Sequence, residues 1–128
     1  MKLSKKTLDG NMETFLLAAL TAGPSYGYQL VQDLNAKAPG LLQTGEGTIY
    51  PVLHRLEDRG LIQSAWRIGE TGRQRRYYRI TPKGRRVLSA NRLQWAALAK
   101  VMRAMLGAAP AAESLFSSSA SPATESAP

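Results

Sequence analysis

Arginines crowd one short stretch of this 128-residue chain. Arg67, Arg73, Arg75, Arg76 and Arg79 are interleaved with Tyr77 and Tyr78 and opposed locally by Glu70 alone. Guanidiniums set so close repel one another, an arrangement that makes sense against a polyanion, whose phosphates their planar forks can grip. The whole chain agrees: Lys and Arg total 17 against 9 Asp and Glu, a formal charge of +8. That balance favours nucleic acid first and an anionic membrane second. Other chemistries find no residues. There is no cysteine, and the single histidine, His54, lacks a carboxylate–serine partnership. No spacing suits metal ligands. The expectation is a non-enzyme with no catalytic residues, no metal and no cofactor.

The arginines need elements to hold them. Met12, Phe15, Leu16, Ala19 and Leu20 recur at helical spacing and predict a first helix over about 10–21. Ala22-Gly23-Pro24 stops it, and Ser25 is placed to cap a second helix with Tyr26, Leu30, Val31 and Leu34 on its buried stripe. A third helix is predicted over about 46–59, with Ile49, Val52, Leu53 and Leu56 inward and Gly60 at its end. Residues 61–68 and 74–80 read as strands around the turn Glu70-Thr71-Gly72-Arg73. Thr81-Pro82 is an N-cap and first-turn pair opening a long fourth helix to about residue 106.

The fold expected is mainly α with a small β-hairpin: a winged helix-turn-helix domain plus a C-terminal dimerisation helix. Its parts are a basic arm over 1–8, the winged domain over 9–81, the dimerisation helix over 82–106 and a tail over 107–128. The tail is rich in Ala, Ser and Pro and is expected to be disordered. Its only charges are Glu113 and Glu125, so the remainder is more basic than the chain as a whole.

In a winged helix the third helix enters the major groove. Once its apolar stripe is set aside, Thr48, Tyr50, Pro51, His54 and Arg55 face outward, offering hydrogen-bonding groups and a planar ring. Pro51 costs roughly 3 kcal/mol inside a helix, so a distorted first turn is expected there, eased by Gly47 four residues back. On the returning strand, alternation puts Arg73, Arg75, Tyr77 and Arg79 on one face and Arg76, Tyr78 and Ile80 on the other.

Five segments in order then carry a family resemblance. They are Tyr26-Gly27-Tyr28-Gln29-Leu30, the run from Glu46 through Tyr50-Pro51-Val52-Leu53-His54-Arg55-Leu56 to Glu57, Gly60-Leu61-Ile62, Gly72-Arg73-Gln74-Arg75-Arg76-Tyr77-Tyr78, and Thr81-Pro82-Lys83-Gly84. Together, over about residues 9–106, they resemble the PadR family of transcriptional regulators, short form. The resemblance implies a homodimer that represses transcription at a palindromic operator in double-stranded DNA and is released by a small aromatic or hydrophobic effector. It implies that Tyr50 and its neighbours read the major groove, and that the wing over 72–76, with Tyr26 and Tyr28, grips the backbone. The DNA-binding set expected is therefore Tyr26, Tyr28, Thr48, Tyr50, His54, Arg55, Arg73, Arg75, Arg76 and Tyr77. One departure is Gly45, where relatives often carry a capping Ser or Asn; Thr44 is the alternative cap.

On the fourth helix, Leu88, Asn91, Trp95, Leu98, Met102 and Met105 step by three and four, the seam of a helix that pairs with another helix. A second copy of the chain is the expected mate. The resemblance gives the same seam the effector, with Trp95 as a stacking wall; packing and ligand contact both remain open for Trp95. The alternative function is a ligand-binding or protein-interaction winged-helix module that does not bind DNA specifically. No signal peptide and no membrane-spanning run is visible, which sets the expectation of a cytoplasmic, nucleoid-associated protein and no membrane partner.

Overall fold

Ser4 accepts a hydrogen bond from the Thr7 amide at 3.2 Å, and this cap opens the first helix, α1 (Lys5–Leu20). In the computed structural model, which describes residues 1–108, α1 is followed by β1 (Ser25–Tyr26), α2 (Gly27–Lys37), α3 (Glu46–Asp58), β2 (Ile62–Ile68), β3 (Gln74–Ile80) and α4 (Pro82–Leu106). The fold is a winged helix-turn-helix followed by a long helix. The basic arm expected over 1–8 is shorter than that. Residues from Lys5 on are helical, Leu8 packs against the core, and the Leu3 amide donates to the Leu41 carbonyl at 2.9 Å.

The second correction lies at Ser25. It does not cap α2; Ser25 and Tyr26 add a third strand, pairing antiparallel with Tyr78 and Tyr77 of β3 in the order β1-β3-β2. α2 starts at Gly27 without a side-chain cap. Nor does Thr44 cap α3. Gly45 holds that position with no side-chain bond, while Thr44 is clamped through its backbone by Asn35, whose amide side chain donates to the Thr44 carbonyl and accepts from its N–H. That clamp fixes the loop from which α3 departs, and α3 runs on through Pro51.

Ile49, Val52, Leu53 and Leu56 bury their side chains among Met12, Leu16, Leu17, Leu20, Leu30, Leu61 and Ile62. α3 ends in a Schellman turn: the Leu61 amide reaches the Leu56 carbonyl, the Gly60 amide reaches Glu57, and Gly60 takes φ +74°. The hairpin pairs Ile62 with Ile80 at its base and Ile68 with Gln74 at its tip, where Gly72 supplies φ +81°.

The start of α4 is built into the same body. Thr81 Oγ1 accepts from the Gly84 amide at 3.0 Å and donates to the Gly60 carbonyl at 2.7 Å. A Cβ on Gly84 would collide with the Leu61 carbonyl, so only glycine permits this approach. Leu88 is buried in the core, and Asn91 donates to Thr14 Oγ1 at 3.0 Å. Leu88 and Asn91, expected on an intermolecular seam, therefore pack within their own chain. The chain divides into two compact units at Arg92 and Leu93. In the second, the described part of α4 leaves Trp95, Leu98, Met102 and Met105 between 48% and 78% exposed, and Gly107 (φ +83°) follows the helix. The expectation of a disordered tail falls, from residue 109 on, outside the described residues. Among the described residues no helix is long and apolar enough to cross a membrane, and no cluster of acidic and histidine side chains could hold a metal ion.

Candidate nucleic-acid interface

Burial of one stripe of α3 against the core leaves its other side facing the hairpin across an open groove of about 1210 Å³. Tyr26 and Tyr28 at the start of α2, Tyr50, His54 and Arg55 on α3, and Arg73, Arg75 and Arg76 on the wing all line it. Two residues of the expected DNA-binding set do not. Thr48 is exposed on α3 away from the groove lining, and Tyr77 lies on the opposite face of the sheet, where alternation puts it.

Tyr50 is seated rather than freely projecting. Its ring lies against Gly27: a Cβ there would stand 2.6 Å from Tyr50 Cζ. Its hydroxyl donates to Glu46 Oε1 at 3.3 Å. Burial, then the nearby Glu46 carboxylate, pushes the Tyr50 hydroxyl above the ordinary tyrosine value. Tyr78, in the floor of the groove, is raised too, mainly by burial. Both phenols stay neutral donors at neutral pH. His54 and Arg55 are exposed on α3, with His54 Nε2 3.8 Å from Asp58.

The wing splits its arginines between two faces. Arg76 turns to the groove, 3.5 Å from Glu57 of α3 and over the ring of Trp66 at 5.7 Å from its centroid. Glu57 also accepts from the Ser64 hydroxyl. Arg75 lies over Tyr26, and Arg67 over Tyr77, each 4.3 Å from the ring centroid, while Tyr26 and Tyr77 meet edge to face at 5.2 Å. Such stacking orders a guanidinium while leaving its N–H edge open. Among the described residues, Arg67, Arg73, Arg75 and Arg79 form no ion pair. Glu70 is thus not the counterion the hairpin sequence suggested; Glu57 is, and only for Arg76.

Glu46, Glu57, Trp66, Gln74 and Tyr78 are among the groove side chains that the expected DNA-binding set left out. Trp66 stands directly across the hairpin from Arg76, a pairing that follows once the turn at Gly72 sets the register. Glu57 has no local signal, because its contact depends on how α3 packs beside the sheet. The groove as a whole offers neutral hydroxyl donors, flat rings and unpaired guanidiniums along one helix and one ribbon. These are the groups that meet base edges and phosphates.

A family model described as the transcriptional regulator PadR-like family matches residues 16–90. The chain is 42% identical over 82 residues to the transcriptional regulator Rv3488 of Mycobacterium tuberculosis, spanning 64% of this chain and 70% of that protein. Among solved structures, it resembles a transcriptional regulator from Clostridium thermocellum with a TM-score of 0.73 and 33% identity, covering 81% of this chain and 98% of that one. A PadR family transcriptional regulator from Eggerthella lenta gives a TM-score of 0.70 and 34% identity, covering 81% and 88%.

Proposed function

The chain belongs to the PadR-like family of transcriptional regulators, and on that premise we propose that it is a sequence-specific DNA-binding repressor acting through the groove between α3 and the wing. Regulators of this family are DNA-binding proteins rather than enzymes. The observation that carries the reading is the convergence on one groove of Tyr50, His54 and Arg55 from α3 with Arg73 and Arg75, neither of which has a carboxylate partner among the described residues. Tyr50, held against Gly27, meets base edges in the major groove. Thr48, His54 and Arg55 flank it, and Tyr26, Tyr28 and the wing arginines hold phosphates.

Two copies pair through the second half of α4, with Trp95, Leu98, Met102 and Met105 as the seam, and so present two grooves to a palindromic operator. A small aromatic or hydrophobic effector binds at that seam, with Trp95 as its stacking wall, and releases the DNA. The test is equilibrium binding to duplex from upstream of its own gene, to random duplex and to anionic vesicles, each over a salt series. The upstream duplex should bind tightest, and affinity for both duplexes should fall linearly with log salt. Equal affinity for the two duplexes at every salt concentration would remove the sequence-specific reading.

A further inference from the structure

The strand alternation that aims Arg76 and Trp66 at the groove sends Arg67, Tyr77 and Arg79 to the other side of the sheet, and Arg75 and Tyr26, which also border the groove, join the two sides. Resting on the reading that the protein binds DNA, we propose that this outer face is a second phosphate-binding surface, so that the wing is charged on both sides and engages duplex backbone beyond the α3 groove.

Three observations carry it. Arg67, Tyr77, Tyr26 and Arg75 form a continuous ladder of guanidinium, ring, ring and guanidinium, at 4.3, 5.2 and 4.3 Å. The two rings spend their faces on holding cations, which fixes the positive charge in place before any anion arrives. Next to the ladder is a shallow hollow of about 170 Å³, bordered by Arg67 and Arg79 and lined by Pro24, Gln63, Ala65 and Tyr77. Arg79 is steadied there by Gln63 Oε1 at 2.8 Å. Finally, no carboxylate among the described residues pairs with Arg67, Arg75 or Arg79, whereas Arg76 on the groove side has Glu57. A basic face kept free of counter-charge and already ordered suits phosphate. Tyr26 and Tyr77 are positioning residues in this account; Arg67 and Arg79 are the contacts.

The experiment measures affinity of the full-length protein for a random-sequence duplex and the upstream duplex over a potassium chloride series. The double variant R67A/R79A should weaken both duplexes alike and flatten the log–log salt slope by about 0.9 per lost phosphate contact. Its preference for the upstream duplex should remain. Tyr77→Leu keeps every charge, so it should lower affinity roughly two- to five-fold with the slope nearly kept. Tyr77→Phe, which retains the ring, should recover that loss. If R67A/R79A matches the wild type while Arg73→Ala weakens binding, the outer face makes no phosphate contact and only the groove reading survives. If Arg73→Ala is also without effect, both readings fall. If the double variant instead loses binding to phosphatidylserine vesicles with its DNA slope intact, the outer face serves a membrane and the proposal is overturned.

Discussion

Tyr50 and Gly27 show how one residue's role depends on what another lacks. The ring occupies the space a Cβ on Gly27 would fill, so the phenol is tied to the start of α2 and aimed from it. A side chain ordered beforehand loses little entropy on binding, which suits it to reading bases. Tyr50→Ala should therefore cut the preference for operator over random duplex about ten-fold or more, as expected for a lost base contact. Random-duplex binding should stay close to wild type, and competition titrations with the two duplexes check this. Equal loss on both would make Tyr50 a backbone or folding residue. The raised hydroxyls of Tyr50 and Tyr78 also set a sign with pH. Their neutral form is favoured by the fold, so that contribution is whole below the ordinary tyrosine value and is lost as pH climbs through the raised ones. At this scale most of the groove was legible in the sequence. Helical spacing put Tyr50, His54 and Arg55 on the outer side of α3, whereas alternation set Arg75 apart from Arg76 although both border the groove. Glu57 was not legible, because its partner Arg76 is met only after α3 and the sheet have packed.

Between elements, the Glu57–Arg76 pair ties α3 to the wing across the groove. A partly exposed pair of this kind adds little to stability, but on the proposed reading it sets the charge that a phosphate in the groove would meet. Arg76→Ala should weaken duplex binding more than Arg73→Ala, since it both removes a cation and leaves the Glu57 carboxylate facing the DNA. Adding Glu57→Gln should then restore part of the loss, and a double-mutant cycle on duplex affinity measures the coupling. Additive effects would mean that the pair does not act as a unit. The short strand β1 escaped the sequence reading for a related reason. Two residues have no periodicity, and Ser25 before a helix reads as a cap until β3 is there to pair with it. The longer elements were readable because each carries its own pattern: the stripe of α3, the alternation of β3 and the Thr81-Pro82 start of α4.

For the whole molecule, a helical seam in the sequence covers two different jobs. Leu88 and Asn91 anchor α4 to its own body through the core and Thr14, whereas Trp95, Leu98, Met102 and Met105 stay open to solvent. Periodicity does not distinguish a face that packs within the chain from one that packs on a second copy. Charging the open part with L98D/M102D should convert a dimer to a monomer in sedimentation equilibrium. Operator affinity should fall with it, because two half-sites are no longer bound together. A variant that stays dimeric would place the interface elsewhere.

The claim beneath all of these is that DNA occupies the groove between α3 and the wing, and Trp66 stands in that groove as its reporter. In a Trp95→Phe protein Trp66 is the sole tryptophan, since the chain has two. Its accessibility to acrylamide can be followed as the upstream duplex is added, with fluorescence anisotropy of the labelled duplex recording binding in the same samples. The account predicts that Trp66 becomes shielded in step with binding and is exposed again when salt releases the DNA. Full binding by anisotropy with Trp66 as accessible as in the free protein would contradict it.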